Sequence, residues 1–333
     1  MVKFLFLDTQ ETTALPAQHP GLPPFDPGLL ATHGCDAHVC VVRDDAVVAR
    51  GSLWWKDAPR LVGQLPGVVG HFAAVDASGA LELLDAACME LARRGCTLAV
   101  GPMDGNTWRR YRLLTERGDE KPFFMEPDNP GEWPAFFEKA QFTPLASYFS
   151  ALNQDLSVED PRLPRTMERL DRAGITLRTL RTDDFTGELG RIYAISRESF
   201  QNNFLYTPIS EEAFIAQYEP IRAHINPGLV IIADCGNGPI GYVFAIPNLA
   251  QAARGEAVDT VVLKTVAVLP GRMNAGLGGV LVARCQQAAR SLGYSRVIHA
   301  LMHESNSSLN LSGHYATPFR RYTLYSRPLA NGA

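Results

Sequence analysis

The sequence lacks the features that define several large classes of protein. No apolar run approaches the ~20 residues that a membrane-spanning helix needs, and the chain carries no lysine-rich or arginine-rich tract at a net charge of −4. Six cysteines in 333 residues do not make a disulfide framework. The apolar stretch at residues 1–7 is too short for a signal peptide. These absences argue against a membrane protein, a nucleic-acid-binding protein and a secreted protein, and they predict a reduced, cytoplasmic one.

The composition is that of an ordinary globular protein with room for two domains. Hydrophobic residues make up 46% of the chain and charged residues 20%. A polar segment at residues 155–174 carries Pro161 and Pro164 and separates two similar halves. We therefore predict a first domain at 1–154, a linker at 155–174 and a second domain at 175–333.

Hydrophobic periodicity gives the two halves similar orders of elements. In the linker and second half it predicts strands at 175–180, 229–233, 240–246, 261–268, 297–302 and 322–325, and helices at 164–173, 184–200, 211–218, 278–292 and 306–315. In the first half it predicts strands at 39–42, 47–55, 68–75, 97–100 and 146–151, and helices at 81–94 and 131–140.

The most informative stretch is residues 260–279, TVVLKTVAVLPGRMNAGLGG. It predicts a strand that ends near Pro270, a loop of small residues, and a helix that begins at Gly278. Free backbone N–H groups and the positive end of a helix dipole meet in such a loop, which favours a phosphate or pyrophosphate. Gly276 and Gly278 would let the backbone approach that ligand closely.

Two common phosphate-binding patterns fit this loop poorly. A Walker loop requires Lys-Ser or Lys-Thr after its last glycine, whereas Gly279 is followed by Val280. A dinucleotide fingerprint requires G-x-G-x-x-G and an acidic residue after the next strand, for which only Glu304 is available. A nucleotide-dependent enzyme that uses this loop therefore stays as an alternative.

The sequence V-x-P, then a short loop, then G-x-G opening a helix resembles the acyl-CoA loop of the GNAT superfamily of N-acetyltransferases. The predicted order of strands and helices is similar to the order in the GNAT fold. Segments 101–108 (GPMDGNTW), 122–127 (PFFMEP) and 319–325 (FRRYTLY) resemble two-domain bacterial members. The resemblance implies an α/β (α+β) protein of two GNAT-like domains, each a mixed, mainly antiparallel sheet flanked by helices. Residues 76–79 replace the loop in the first half, which we interpret as a degenerate copy.

The resemblance also implies a set of cofactor-binding residues for acetyl-CoA as cosubstrate. Val266, Ala267 and Val268 would pair with the pantetheine arm. Met273 stands where Gln or Arg is usual, and Arg272 would compensate for it. Asn306 would open the helix after the fifth strand. The pyrophosphate would lie over the backbone amides of Met273, Asn274, Ala275, Gly276, Leu277, Gly278 and Gly279.

Acyl transfer to an amine requires a base for the amine and an acid for the departing thiolate, and no covalent enzyme intermediate. The resemblance implies a Tyr or Ser on the helix after the fifth strand as the acid, which predicts Tyr315, with Ser312 as the alternative. Many relatives carry a Glu in the strand before the loop, but residues 262–265 read VLKT. The base is therefore assigned to Glu304, with Asp259, His303 or a chain of water molecules as alternatives.

A short cluster of His33, Cys35, His38 and Cys40 has the residue types of a zinc site. An extended segment would direct the first two side chains to one face and the last two to the other, so we expect no metal. His299 and His303 lack a zinc-protease pattern, and we expect no metal there either.

The predicted function is acetyl transfer from CoA to a small-molecule or peptide amine, without nucleic acid or membrane as partner. The alternative in a different class is a non-catalytic acyl-CoA-binding or scaffolding protein. The sequence leaves open the acceptor, the oligomeric state and whether the first half binds a ligand.

Overall fold

A computed structural model describes residues 3–7, 17–305 and 313–330. The first half contains, in chain order, β1 (Lys3–Leu7), α1 (Gly28–His33), β2 (Ala37–Arg43), β3 (Ala46–Trp54), β4 (Pro66–Ala74), α2 (Ala77–Arg93), β5 (Leu98–Gly101), β6 (Leu113–Glu116), α3 (Trp133–Lys139) and β7 (Thr143–Asn153).

The linker and second half contain α4 (Leu163–Arg172), β8 (Thr176–Thr179), α5 (Phe185–Phe200), α6 (Glu211–Ala216), β9 (Val230–Cys235), β10 (Gly238–Pro247), α7 (Leu249–Ala253), β11 (Thr260–Val268), α8 (Leu277–Ser291), β12 (Arg296–His303) and β13 (Thr317–Pro328). Three 3₁₀ turns lie at Glu219–His224, Pro227–Leu229 and Arg272–Asn274. No helix in the described ranges is long and apolar enough to cross a bilayer.

Most predicted elements are present, with ends that differ by a few residues. The sequence reading missed β1, α1, β6 and α7, which are 4–6 residues long. Elements this short show little periodicity. The helix predicted at 306–315 is wrong at its end, because residues 313–315 form a turn, and residues 306–312 lie outside the described residues.

The strands form one mixed, mainly antiparallel sheet in the order β1-β2-β3-β4-β5-β13-β7-β12-β11-β10-β9-β8, and β6 pairs with β13. Two neighbouring pairs are parallel, β4 with β5 in the first half and β11 with β12 in the second. The fold class predicted from the sequence is thereby confirmed.

The last strand of each half pairs with the opposite half. β13, at the end of the chain, lies between β5 and β7 of the first half. β7 in turn pairs with β12 of the second half. The hydrogen-bonded sheet therefore runs through both halves, although their boundary in sequence is a simple linker.

The two faces of the second-half sheet are covered by different helices. In β10, Val243 and Ala245 face a core that contains Leu277 and Leu281 of α8. Tyr242 and Phe244, on the opposite face, pack with α5 and α6. This alternation along a strand buries both faces of the sheet. Leu263 of β11 belongs to the same core as Leu277 and Leu281, so α8 also packs against β11.

Candidate acyl-CoA site

Strands β11 and β12 separate partway along their length. Their parallel pairing runs from Thr260 and Arg296 to Leu263 and His299 and then stops. On its other edge β11 stays paired with β10 as far as Val268. From residue 264 to residue 268 the edge that faces β12 thus pairs with no strand of the described structure. Val266, Ala267 and Val268 lie on this open edge, and their role as ligands stays a prediction.

The loop after β11 is a compact turn that its own side chains close. The Asn274 side-chain amide donates to the carbonyl oxygen of Leu269 at 2.9 Å. The backbone amides of Asn274 and Ala275 donate to Gly271 and Arg272 at 3.2 and 3.3 Å. These two amides already have partners inside the loop. The cradle of donors from Met273 to Gly279 stays a prediction, and within it the amides of residues 276–279 are not engaged by these two loop contacts.

The N-terminus of α8 is open to an anionic group. Gly276 precedes the helix in the left-handed conformation, at φ 79°, and provides no side-chain cap. The first amides of a helix have no intrahelical partner, and the helix dipole places positive charge there. Leu277, Gly278 and Gly279 supply these amides.

Arg169 of the linker helix α4 holds the loop from outside. Its guanidinium donates to the carbonyl oxygen of Met273 at 2.9 Å and to that of Ala275. The Thr166 side chain lies against Gly276, where an added Cβ would be 2.9 Å from its Cγ2. Met273 is largely exposed. The positive charge at this loop position is supplied by the Arg169 guanidinium of α4. Sequence reasoning missed this arginine, since the linker carried no motif.

The corresponding place in the first half is occupied by the chain itself. Beyond Val68 and Val100, β4 and β5 also separate, but Met103 fills the gap and donates its amide to Val69 at 2.9 Å. Asp76 caps α2 by accepting the Gly79 amide at 2.7 Å. A carboxylate therefore stands at the helix end where a phosphate would bind.

Lys264 lies where the open edge of β11 begins, on the face opposite α8. Its Nζ is 3.3 Å from the hydroxyl of Tyr218 and 4.9 Å from the centre of that ring. Burial lowers the pKa of the Lys264 ammonium group to about 8. Sequence reasoning named this position only as the absence of a glutamate.

The predicted acid–base residues do not come together in the described structure. Tyr315 packs beside α8, and its buried hydroxyl has no hydrogen-bond partner among the described residues. Burial, and then the charge of Asp160, raises the pKa of Tyr315. The Glu304 carboxylate pairs with Arg321. Both roles stay predictions, and Asn306 and Ser312 lie outside the described residues.

The two alternative bases differ in position. His303 lies near the end of the opening, with its ring 4.8 Å from that of Tyr148. Burial, and then the charge of Arg112, lowers its pKa. Asp259 precedes β11 at the opposite end of the strand and accepts hydrogen bonds from Gln251 and Thr260, each at 2.7 Å. Four residues of strand, ~13 Å, separate it from Leu263, so this carboxylate does not reach the opening directly.

The histidine–cysteine cluster is arranged differently from the expectation. His33 ends α1 instead of lying in an extended segment, and its Nδ1 is 2.8 Å from Nε2 of His71. Ser52 connects His71 to His38, with both distances 2.8 Å. Ligand atoms of His33, His71 and Asp104 lie within 4.8 Å of one another. The two cysteines take no part in that group.

Residues 189–311 match the model of the acetyltransferase (GNAT) family. The match covers the separated strands, the loop and α8, so this part of the second half is similar to the GNAT family of acyltransferases. Acyl-CoA is the cosubstrate of this family.

Among curated proteins, the bacterial ceramide synthase of Caulobacter vibrioides (strain NA1000 / CB15N) is 24% identical over 192 residues, which are 57% of this chain and 50% of that protein. The chain spans about half the length of the curated relative it matches.

Solved structures share the fold at low identity. A tandem GNAT protein from the clavulanic acid biosynthesis pathway, without AcCoA, aligns over 100% of both chains with a TM-score of 0.52 and 13% identity. A GCN5-related N-acetyltransferase from Sphaerobacter thermophilus aligns over 89% of this chain and 82% of its own, with a TM-score of 0.50 and 13% identity. These matches support the tandem architecture.

Proposed function

We propose that the second half binds acetyl-CoA and transfers the acetyl group to an amine acceptor. The observation that carries this proposal is the opening between β11 and β12, which leads directly to the uncapped N-terminus of α8. An arm with amide groups can pair with the open edge of β11 as an additional strand would. The pyrophosphate at the end of that arm would then reach Gly276–Gly279 and Arg169.

The transfer proceeds by direct attack in this proposal. The neutral amine nitrogen attacks the thioester carbonyl carbon, the C–S bond breaks, and the thiolate accepts a proton while the nitrogen loses one. We assign the proton-accepting role to Lys264, because it lies in the strand before the loop, where many relatives carry a glutamate, and burial lowers its pKa to about 8. Glu304, whose carboxylate is paired with Arg321, stays the alternative base, and Tyr315 stays the proposed acid.

The first half serves as a degenerate copy that supports the second. Met103 occupies the opening between its strands, and Asp76 occupies its helix N-terminus. One acyl-CoA site per chain is therefore proposed, with domains at 1–154 and 175–333 and a linker at 155–174. The protein is proposed to act in the cytoplasm.

A longer acyl donor is the second candidate. The relative named bacterial ceramide synthase favours it, since a ceramide is a fatty amide of a long-chain amine. The two candidates differ in the acyl group and acceptor, and they share the direct-attack chemistry.

The decisive experiment combines calorimetry with release of free thiol. We expect CoA to bind once per chain, and one of acetyl-, octanoyl- or palmitoyl-CoA to release thiol in the presence of an amine panel that includes sphinganine. Binding of CoA with thiol release at background for every pair would favour the non-catalytic binding protein. Thermal stabilisation by ATP or NAD but not by CoA would favour the nucleotide-dependent enzyme.

A further inference from the structure

A second cavity lies in the first half and is independent of the acyl-CoA opening. Its volume is about 230 Å³, and it lies between the chain before α1, strand β4 and residues 102–113. Phe25, Phe72 and Trp133 contribute apolar walls, and three arginines, Arg50, Arg110 and Arg112, are among the other lining residues. A cavity with apolar walls and a few charged groups is typical of a small-molecule site.

Two of these guanidiniums are buried without a carboxylate partner. Arg50 is 3% exposed and donates only to neutral oxygen atoms, to Gln18 Oε1 at 2.9 Å and to the Pro23 carbonyl at 2.8 Å. Arg112 is 6% exposed, lies between the rings of Tyr111 and Tyr148, 3.9 and 4.1 Å from their centres, and donates to the Leu301 carbonyl at 3.3 Å. The Nε atoms of both arginines have no hydrogen-bond partner among the described residues. Buried charges are normally paired, and Arg50, whose charge acts on the cavity residue His71, is the one that an anion in the cavity would pair with.

The other groups around the cavity favour an anion over a cation. Burial, then the neighbouring His33 and His38 and, after them, Arg109 and Arg50, lowers the pKa of His71 to about 3 and keeps its ring neutral. The cavity lining contains two carboxylates, Asp26 and Asp104, and three arginines. Burial raises the pKa of Asp104, and the charge of a fourth arginine, Arg109, opposes this rise. The group formed by His33, His71 and Asp104 could coordinate a metal ion, but the surrounding guanidiniums would repel one.

From this geometry we propose that the first-half cavity binds a small organic anion, with its carboxylate or phosphate group at Arg50 and its apolar body against Phe25 and Trp133. Guanidinium groups pair with both anions through two parallel hydrogen bonds. The volume admits a compact molecule, about the size of a substituted benzene ring.

Calorimetry on the full-length protein with benzoate, phenyl phosphate and the neutral benzamide tests the proposal. We expect at least one anion to bind ten-fold or more tightly than benzamide, and we expect the affinity to fall as the salt concentration rises. The relative affinity of the two anions identifies the preferred head group. Equal binding of benzamide, or binding of neither anion, would overturn the proposal.

Substitutions locate the site. Arg50→Met should weaken binding of the preferred anion at least ten-fold, while Arg50→Lys, which keeps the charge, should retain part of it. Arg94→Met is the matched control, because Arg94 also lies over an aromatic ring, that of Trp55, at 4.4 Å but outside the cavity. Unchanged binding by Arg50→Met would contradict the proposal.

A measurement on the unaltered chain covers the case in which those variants do not fold. With ¹⁵N-labelled tryptophan, the anion should shift the indole signal of Trp133, whose Nε1 donates to the Ala74 carbonyl at 3.2 Å. An anion that CoA displaces and that leaves Trp133 unmoved would be bound at α8 instead, which would refute the cavity as its site. Binding of the anion in the first-half cavity does not depend on acyl transfer, so the absence of thiol release with every acyl-CoA would leave this result unchanged.

Discussion

At the scale of single residues, Lys264 has the clearest chemical consequence. A lysine accepts a proton only when its amine is neutral, and burial brings the Lys264 pKa down to about 8. With an aryl amine or hydrazide acceptor, which is already neutral, kcat should rise as pH increases through about 8. Lys264→Met and Lys264→Arg should lower kcat by about 10²–10⁴-fold and remove this rise, since neither side chain accepts a proton there.

The control for Lys264 is Tyr218→Phe, which removes the hydroxyl 3.3 Å from Nζ and keeps the ring. It should shift the midpoint of the pH profile with a smaller loss of rate. A methionine variant that keeps both the rate and the pH dependence would exclude Lys264 as the base.

A buried ion pair makes a prediction about stability at the same scale. The Glu126 and Arg320 side chains are both 0% exposed, and the Glu126 oxygen lies 2.8 Å from Nε of Arg320. Glu126→Gln leaves the Arg320 charge uncompensated, and we expect it to lower the free energy of unfolding by about 3–5 kcal/mol. Glu168→Gln removes an exposed pair with Arg172, and we expect a loss within about 0.5 kcal/mol. Denaturant melts measure both, and equal losses would contradict the expectation.

At the scale of elements, the sequence predicted the strand, loop and helix around residues 260–279 because each has a local signal. β11 has a β-branched apolar run, and α8 has helical periodicity after Gly276. The assignment of Val266, Ala267 and Val268 as ligands of the pantetheine arm came from the family resemblance. Arg169 and Lys264 were missed as site residues, since their roles depend on contacts with distant segments. Arg169 contacts the Met273 carbonyl, and Lys264 contacts Tyr218.

Gly276→Ala tests the loop and helix as a unit. Gly276 has φ 79°, and a Cβ there would be 2.9 Å from Thr166 Cγ2, so the first turn of α8 must shift. We expect KM for acyl-CoA to rise at least ten-fold with a smaller change in kcat. Gly255→Ala is the matched control, with φ 72° and open space around its Cβ. It carries the same backbone strain away from the loop, and an equal rise in KM would show that strain alone is responsible.

At the scale of the whole molecule, the exchanged strands make the halves interdependent, which their sequences do not reveal. A periodic pattern predicts that β7 and β13 are strands but does not say which strand each one pairs with. β13 fills the place between β5 and β7, and β7 covers the edge of β12. Either half alone would expose the backbone of a long edge strand, which promotes aggregation.

Separate expression of residues 1–154 and 155–333 tests this interdependence. We expect neither fragment alone to give a cooperative thermal transition, because the first lacks β13 and the second lacks β7. The fragment that ends at 154 also loses Arg320, which leaves the buried Glu126 carboxylate without its partner. Co-expression of the two should restore a single transition and CoA binding. The control is the full chain cut at a protease site inserted after residue 158, an exposed position in the linker, which should melt as the uncut protein does. A monomeric first fragment with its own cooperative transition would mean that the exchanged strands are dispensable for folding.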